Sequence, residues 1–203
     1  MRRYAVVGGI GAGKSTVCRM LAQHGGRVID VDRLGHQVLR RAGMRRQLSA
    51  RFGAGILADD GSVDRGKLGK RVFADPERLR DLNAMVHPEI GRLLRRRMRA
   101  LAARKVKAVF IDAALFLDLD LGLAVDAVIA VTAPRALRRR RLMQRDGLSA
   151  AECEARLRSQ PRIGVWTRRS DFRLDTRGSL AEVRARVEDL WRRLERHRRQ
   201  RGG

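Results

Sequence analysis

The residues best equipped for chemistry stand close to the N-terminus, in the run Gly8-Gly9-Ile10-Gly11-Ala12-Gly13-Lys14-Ser15-Thr16. It satisfies G-x-x-x-x-G-K-[ST], a spacing whose glycines let backbone N–H groups wrap an anion while a lysine reaches the β/γ oxygens of a nucleotide. The expected nucleotide contacts are Gly9, Gly11, Ala12, Gly13, Lys14, Ser15 and Thr16, with the Ser15 hydroxyl also available to Mg²⁺. A dinucleotide-binding G-x-G-x-x-G does not fit, because no three glycines here have that spacing and it would leave Lys14 without a role.

Three carboxylates could complete a phosphoryl-transfer site. Asp30 and Asp32 follow the apolar run Val28-Ile29, and extended backbone through Asp32 would put both on one face at the carboxyl edge of a sheet, where ligands of open α/β sheets bind. Two roles are open to Asp32: a base for an attacking hydroxyl, or a cap on a helix starting near Arg33. Asp112 closes Val109-Phe110-Ile111 in the manner of a Walker B acid, a ligand for Mg²⁺ through water, although a strand can also end on Asp simply to turn.

Positive charge for a transferring phosphoryl group is offered by Arg141 and Arg145, four apart on one face of an expected helix opened by Pro134. For Arg138 to Arg140 a solvated helix face stands beside that reading. His87, before Pro88, is either a substrate contact or part of a helix entry. His24, His36 and His197 lie in unrelated segments and make no metal cluster, and Cys18 and Cys153 suggest neither a disulfide nor a zinc site.

These residues need a scaffold. Tyr4 to Val7 reads as a strand, Lys14 to about His24 as a helix, and Arg27 to Asp30 as a second strand followed by helical spacing through Leu34, Val38 and Leu39. From about Ala42 to Arg104 the pattern is helical, with Asp75-Pro76 and His87-Pro88 read as two helix starts. Strand signals return at Val106 to Asp112, Val125 to Val131 and Phe172 to Asp175, and Ser149-x-x-Glu152 and Ser179-x-x-Glu182 are capping boxes. The core is expected to rest on branched and small side chains, since aromatic residues make up only 4% of the chain.

Length and charge bound the reading. The 203 residues suit one domain or one core with insertions. The net charge of +24 comes almost wholly from arginines spread over every segment, which points to non-specific polyanion binding at low salt rather than a designed patch. The first apolar stretch is too short for a signal peptide or membrane span, so a cytoplasmic location with no membrane partner is expected. Oligomeric state is not encoded in any pattern found.

Taken in order, the loop, Asp30-Val31-Asp32, Phe52-Gly53, Asp60-Gly61-Ser62-Val63-Asp64-Arg65, Val72-Phe73-Ala74-Asp75-Pro76, His87-Pro88-Glu89-Ile90 and Gln144-Arg145-Asp146 resemble the dephospho-coenzyme A kinase family over nearly the whole chain. The resemblance implies an α/β fold of the P-loop NTPase type: a parallel sheet flanked by helices, with a helical substrate-binding insertion and a lid. It divides the chain into a nucleotide-binding core at 1–41, 105–140 and 170–203, a helical coenzyme A region at 42–104, and a lid at 141–169. It also implies ATP and Mg²⁺, Asp32 rather than Asp30 as base, Arg141 and Arg145 as phosphate clamp, and Asp32, His87 and Leu115 as contacts of dephospho-coenzyme A. Two stretches depart from the family pattern: Ala114-Leu115-Phe116-Leu117-Asp118 lacks its proline and carries a shorter acid, and Thr176-Arg177-Gly178 replaces an N-x-G. A kinase of another small acceptor, such as a nucleoside monophosphate or shikimate, and an ATP-regulated nucleic-acid-binding protein are the competing readings.

Overall fold

The computed structural model describes residues 1–113, 121–160 and 163–201. Residues 114–118, and with them Leu115 and the altered motif, lie outside that set. By packing, the chain forms two compact units, one built from Met1–Ile29 and most of the chain beyond Leu101, the other from Asp30–Ala100 with a short stretch at Leu121.

In the first unit, β1 (Arg2–Val7), β3 (Ala108–Asp112), β4 (Ala127–Thr132) and β5 (Phe172–Asp175) line up in parallel, and β2 (Gly26–Asp30) completes a five-stranded sheet in the order β2-β3-β1-β4-β5. All of β3 and the first five residues of β4 are buried, as the continuous apolar runs demand of strands covered on both faces. The register sets Val6 beside Asp112, Val7 beside Ala130 and Thr132 beside Asp175. The carboxyl ends of β1, β3, β4 and β5 thus share one edge, with β1 at the point where the strand order reverses.

α1 (Lys14–Ala22) and α9 (Leu180–Arg201) pack together with the sheet around Val17, Leu21, Phe110, Val187 and Leu190. Aliphatic side chains dominate this core, yet it also contains a chain of rings that composition did not suggest: Tyr4 stacks on Phe110 at 5.5 Å, Phe110 meets Trp191 edge-on at 6.4 Å, and Trp191 stacks on His24 at 5.3 Å.

Beyond β4 run α6 (Arg135–Asp146), α7 (Ala150–Arg158) and the short α8 (Ile163–Arg168). α6 and α7 enclose a small core of Leu142, Cys153 and Leu157. The expected capping box at Ser149 is complete, with Ser149 N–H donating to Glu152 at 2.9 Å and Glu152 N–H donating to Ser149 Oγ at 3.3 Å.

The second unit is helical: α2 (Val31–Leu39), α3 (Ala42–Phe52), α4 (Arg65–Phe73) and α5 (Pro76–Ala103). The D-G-x-x-D-R signature does local structural work here. Asp60 accepts from Ser62 N–H at 2.8 Å inside a tight turn, and Asp64 caps α4 by accepting from Gly66 and Lys67 N–H at 2.8 and 3.0 Å. Two sequence expectations fail in this unit. Pro88 does not start a helix but lies inside the 28-residue α5, which survives the lost hydrogen bond because Val86, Ile90, Leu94 and Met98 bury one continuous face across it. Asp30 and Asp32 do not share an extended strand, because helix begins at Val31, whose side chain is buried with Leu34 and Val38.

The α7 cap supplies a pH test. Hydrogen bonds from the Ser149 hydroxyl, then from its N–H, hold the Glu152 carboxyl below its ordinary value. A carboxyl depressed on folding stabilises above its unfolded pKa, and that contribution is lost as pH falls through the folded value. Glu152→Gln should therefore melt below the unmodified chain at neutral pH, and the gap should close on acidification past the ordinary glutamate range, about pH 4.

Candidate active site

The loop between β1 and α1 presents a bonding problem. To face an anion with N–H groups, it must place its carbonyls elsewhere, since buried carbonyls without partners are costly. Five consecutive carbonyls are accounted for. Gly9 C=O accepts from Ala12 N–H at 3.0 Å, and Gly13 C=O accepts from Thr16 and Val17 N–H, both at 3.1 Å. Between them, Ile10 C=O accepts from Arg138 Nε at 2.8 Å, Gly11 C=O from Arg141 Nη1 at 3.3 Å, and Ala12 C=O from the Thr176 hydroxyl at 2.8 Å. Three side chains from the C-terminal half thus turn three loop carbonyls outward. Because N–H and C=O of a trans peptide point opposite ways, Gly11 and Gly13 N–H are directed away from those partners.

Glycine is required at two of these positions. Gly11 has φ +76°, and a Cβ there would lie 2.7 Å from the Arg138 carbonyl oxygen on α6. Gly13 caps α1 in left-handed conformation at φ +85°, and no acidic residue occupies the first turn of α1, so its positive end is left for an anion.

Lys14 and Ser15 open α1 and converge on one carboxylate. Lys14 Nζ pairs with Asp112 Oδ1, and Ser15 Oγ donates to Asp112 Oδ2 at 3.0 Å. Asp112 is only 5% exposed, and a buried carboxylate needs such partners. Its burial sets it apart from an acid that merely turns a chain. A hydroxyl and a carboxylate side by side are the oxygen donors Mg²⁺ takes, so the residues present fit that ion.

The two expected clamp arginines have different surroundings. Arg141 is half-buried at the loop, with Nη1 donating to Thr176 Oγ1 and Nη2 to Thr176 C=O, both at 2.8 Å. Arg145, at the exposed end of α6, is bound bidentately by Asp146 at 2.7 and 2.9 Å, with Arg156 adding a 3.5 Å contact to the same carboxylate. The hydrogen bond from Arg145 leads the causes that hold Asp146 below the ordinary carboxylate range. Arg138 corrects the solvated-face expectation: Arg139 and Arg140 are exposed, but Arg138 is half-buried against the loop, and burial, followed by Arg135, lowers its guanidinium below the ordinary value.

In the second unit, Asp30 is the cap of α2, accepting from Arg33 N–H at 2.9 Å, and Asp32 is exposed in the first helical turn. The capping role weighed for Asp32 therefore belongs to Asp30. His87 is half-buried within α5. Among the described residues no cluster of His, Cys, Asp and Glu could hold a metal by itself, and no helix is long and apolar enough to cross a membrane.

Sequence reading gave no role at the loop to Thr176, which stands in the departing Thr176-Arg177-Gly178 stretch, to Gln160, which closes the lid-region match Arg156 to Gln160, or to Arg138. Thr176 sits where the family pattern is broken, yet it is 2% exposed and bonded to Ala12 and Arg141. Thr176→Val should cost about 1–3 kcal/mol by leaving Ala12 C=O and an Arg141 N–H without their partner. Thr176→Ser should retain most of that stability, as read by denaturant unfolding.

A dephospho-CoA kinase family model matches residues 4–182. A dephospho-CoA kinase of Symbiobacterium thermophilum is 38% identical, with 95% of this chain and 81% of the relative covered. Among solved structures, TT1252 from Thermus thermophilus superposes with TM-score 0.80 at 33% identity, covering 95% of this chain and 97% of that one. Dephospho-CoA kinase from Campylobacter jejuni gives TM-score 0.61 at 28% identity, covering 95% and 96%. With the whole span from β1 to the first turn of α9 matched and the phosphate loop intact, the chain belongs to the dephospho-CoA kinase family.

Proposed function

We propose that this chain transfers the γ-phosphoryl group of ATP to the 3′-hydroxyl of dephospho-coenzyme A, giving coenzyme A and ADP in the last step of coenzyme A synthesis. Family membership supplies the reaction, and the observation that carries it in this chain is the phosphate loop with its carbonyls turned outward and Lys14, Ser15 and Asp112 gathered at its mouth.

In this reading the loop N–H groups and the start of α1 take the ATP phosphates, and Lys14 exchanges its Asp112 partner for β/γ oxygens. Ser15 and Asp112 would hold Mg²⁺, which would supply charge neutralisation for the nucleotide phosphates. The acceptor oxygen bonds to the γ phosphorus as the bond to the β,γ-bridging oxygen breaks, and the acceptor proton passes to Asp32. The family resemblance is what assigns that role to Asp32 rather than Asp30, and Asp30 is the residue that caps α2 through the Arg33 N–H. Arg141 stands beside the loop already, and Arg145 joins the phosphates by leaving Asp146. His87 and the helical region at 42–104 bind the coenzyme A portion, and the arm at 141–169 acts as lid.

The test is Mg-ATP with dephospho-coenzyme A, shikimate or a nucleoside monophosphate, scored by ADP release and by the 3′-phosphorylated product. Turnover should be confined to dephospho-coenzyme A. Asp32→Asn should lower kcat by about 10²–10⁴-fold with ATP affinity nearly unchanged, and Asp30→Asn, which keeps a capping oxygen, should stay close to the unmodified rate. Preference for another acceptor, or the reverse order of the two variants, contradicts the reading.

A further inference from the structure

Ile10 is attached to the α6–α7 arm in three ways. Its side chain packs against Leu142, Cys153 and Leu157, its N–H donates to Gln160 Oε1 at 2.8 Å, and its C=O accepts from Arg138 Nε at 2.8 Å. The N–H lies in the Gly9–Ile10 peptide and the C=O in the Ile10–Gly11 peptide. The two bonds therefore fix both planes flanking one α-carbon, which determines its φ and ψ.

The cost at Arg138 shows that the contact is not incidental. Its guanidinium is half-buried, and Nη2 is fully buried without a hydrogen-bond partner among the described residues. Leaving a buried donor unpaired is unfavourable. A solvated arginine on this helix would avoid that penalty by turning outward, as Arg139 and Arg140 do.

We propose that Arg138 and Gln160 are positioning residues for nucleotide binding: acting together on Ile10, they hold the apex of the phosphate loop in its anion-binding shape and tie that shape to the α6–α7 arm. The inference rests on the loop being the ATP site. Neither side chain needs to touch the nucleotide. Because a preset loop favours bound phosphate before and during transfer alike, the effect falls on affinity more than on kcat.

The test is a double-mutant cycle with Arg138→Met and Gln160→Met, each of which keeps an unbranched chain and removes the polar group, read by calorimetric ATP affinity and by steady-state kinetics. Each single variant should weaken ATP binding about ten-fold, the effect of roughly one hydrogen bond. The double variant should fall well short of the product of the two losses, because both act through Ile10. Arg138→Lys, which restores a donor, should recover most of the affinity, kcat at saturating ATP should stay within about three-fold, and exposed Arg139→Met should bind ATP normally. Thermal melting of each variant without nucleotide separates lost affinity from lost folding. The inference is overturned if either single variant binds ATP as tightly as the unmodified chain, if the losses multiply fully, or if Lys does no better than Met. An unmodified chain that binds no ATP overturns this inference and the loop assignment together.

Discussion

A phosphate loop works only if its carbonyls are bonded somewhere other than toward the anion. In this chain that constraint reaches far along the sequence: Arg138, Arg141 and Thr176, from α6 and from the residue after β5, take the carbonyls of Ile10, Gly11 and Ala12 in turn. The parallel sheet makes this possible. It brings the end of β5 and the helix after β4 to the edge where β1 releases the loop, so residues more than a hundred positions apart serve one short segment. Much of the first unit can be understood as the apparatus that keeps nine residues in an otherwise unfavourable shape.

The second constraint is electrostatic. Asp112 is buried at the end of β3, where a lone carboxylate would be strongly disfavoured, and Lys14 and Ser15 satisfy it. The same lysine and hydroxyl are those a nucleotide and its metal would use. The carboxylate is thus neutralised from within the chain, and nucleotide binding would exchange one set of charge partners for another.

Legibility in the sequence follows the range of the interaction. The loop, the strand runs and both capping boxes are local patterns, since each depends on residue types a few positions apart. Asp30 ends β2 as its apolar run indicates, but Asp32 is helical, because the burial of Val31 and Leu34 starts the helix directly after Asp30 and periodicity over so few residues does not separate strand end from helix start. Pro88 carries a local boundary signal, whereas the continuous buried face that carries α5 through it is not a local feature. Arg138 was hidden among arginines of the same type: only the fold distinguishes the one against the loop from the two facing water. Thr176 was obscured differently, by standing where the chain departs from the family pattern, so that no motif marked its bond to Ala12 C=O.

The central claim is that the chain's own side chains, and not the nucleotide, hold the loop in its phosphate-binding shape. Amide hydrogen exchange of the ligand-free protein tests it most directly, through the Ile10 N–H bonded to Gln160. The account predicts that this amide is protected without nucleotide and changes little when ADP is added. Unprotected exchange in the free protein, with protection appearing only on ADP binding, would show that the nucleotide builds the loop, and would contradict the account.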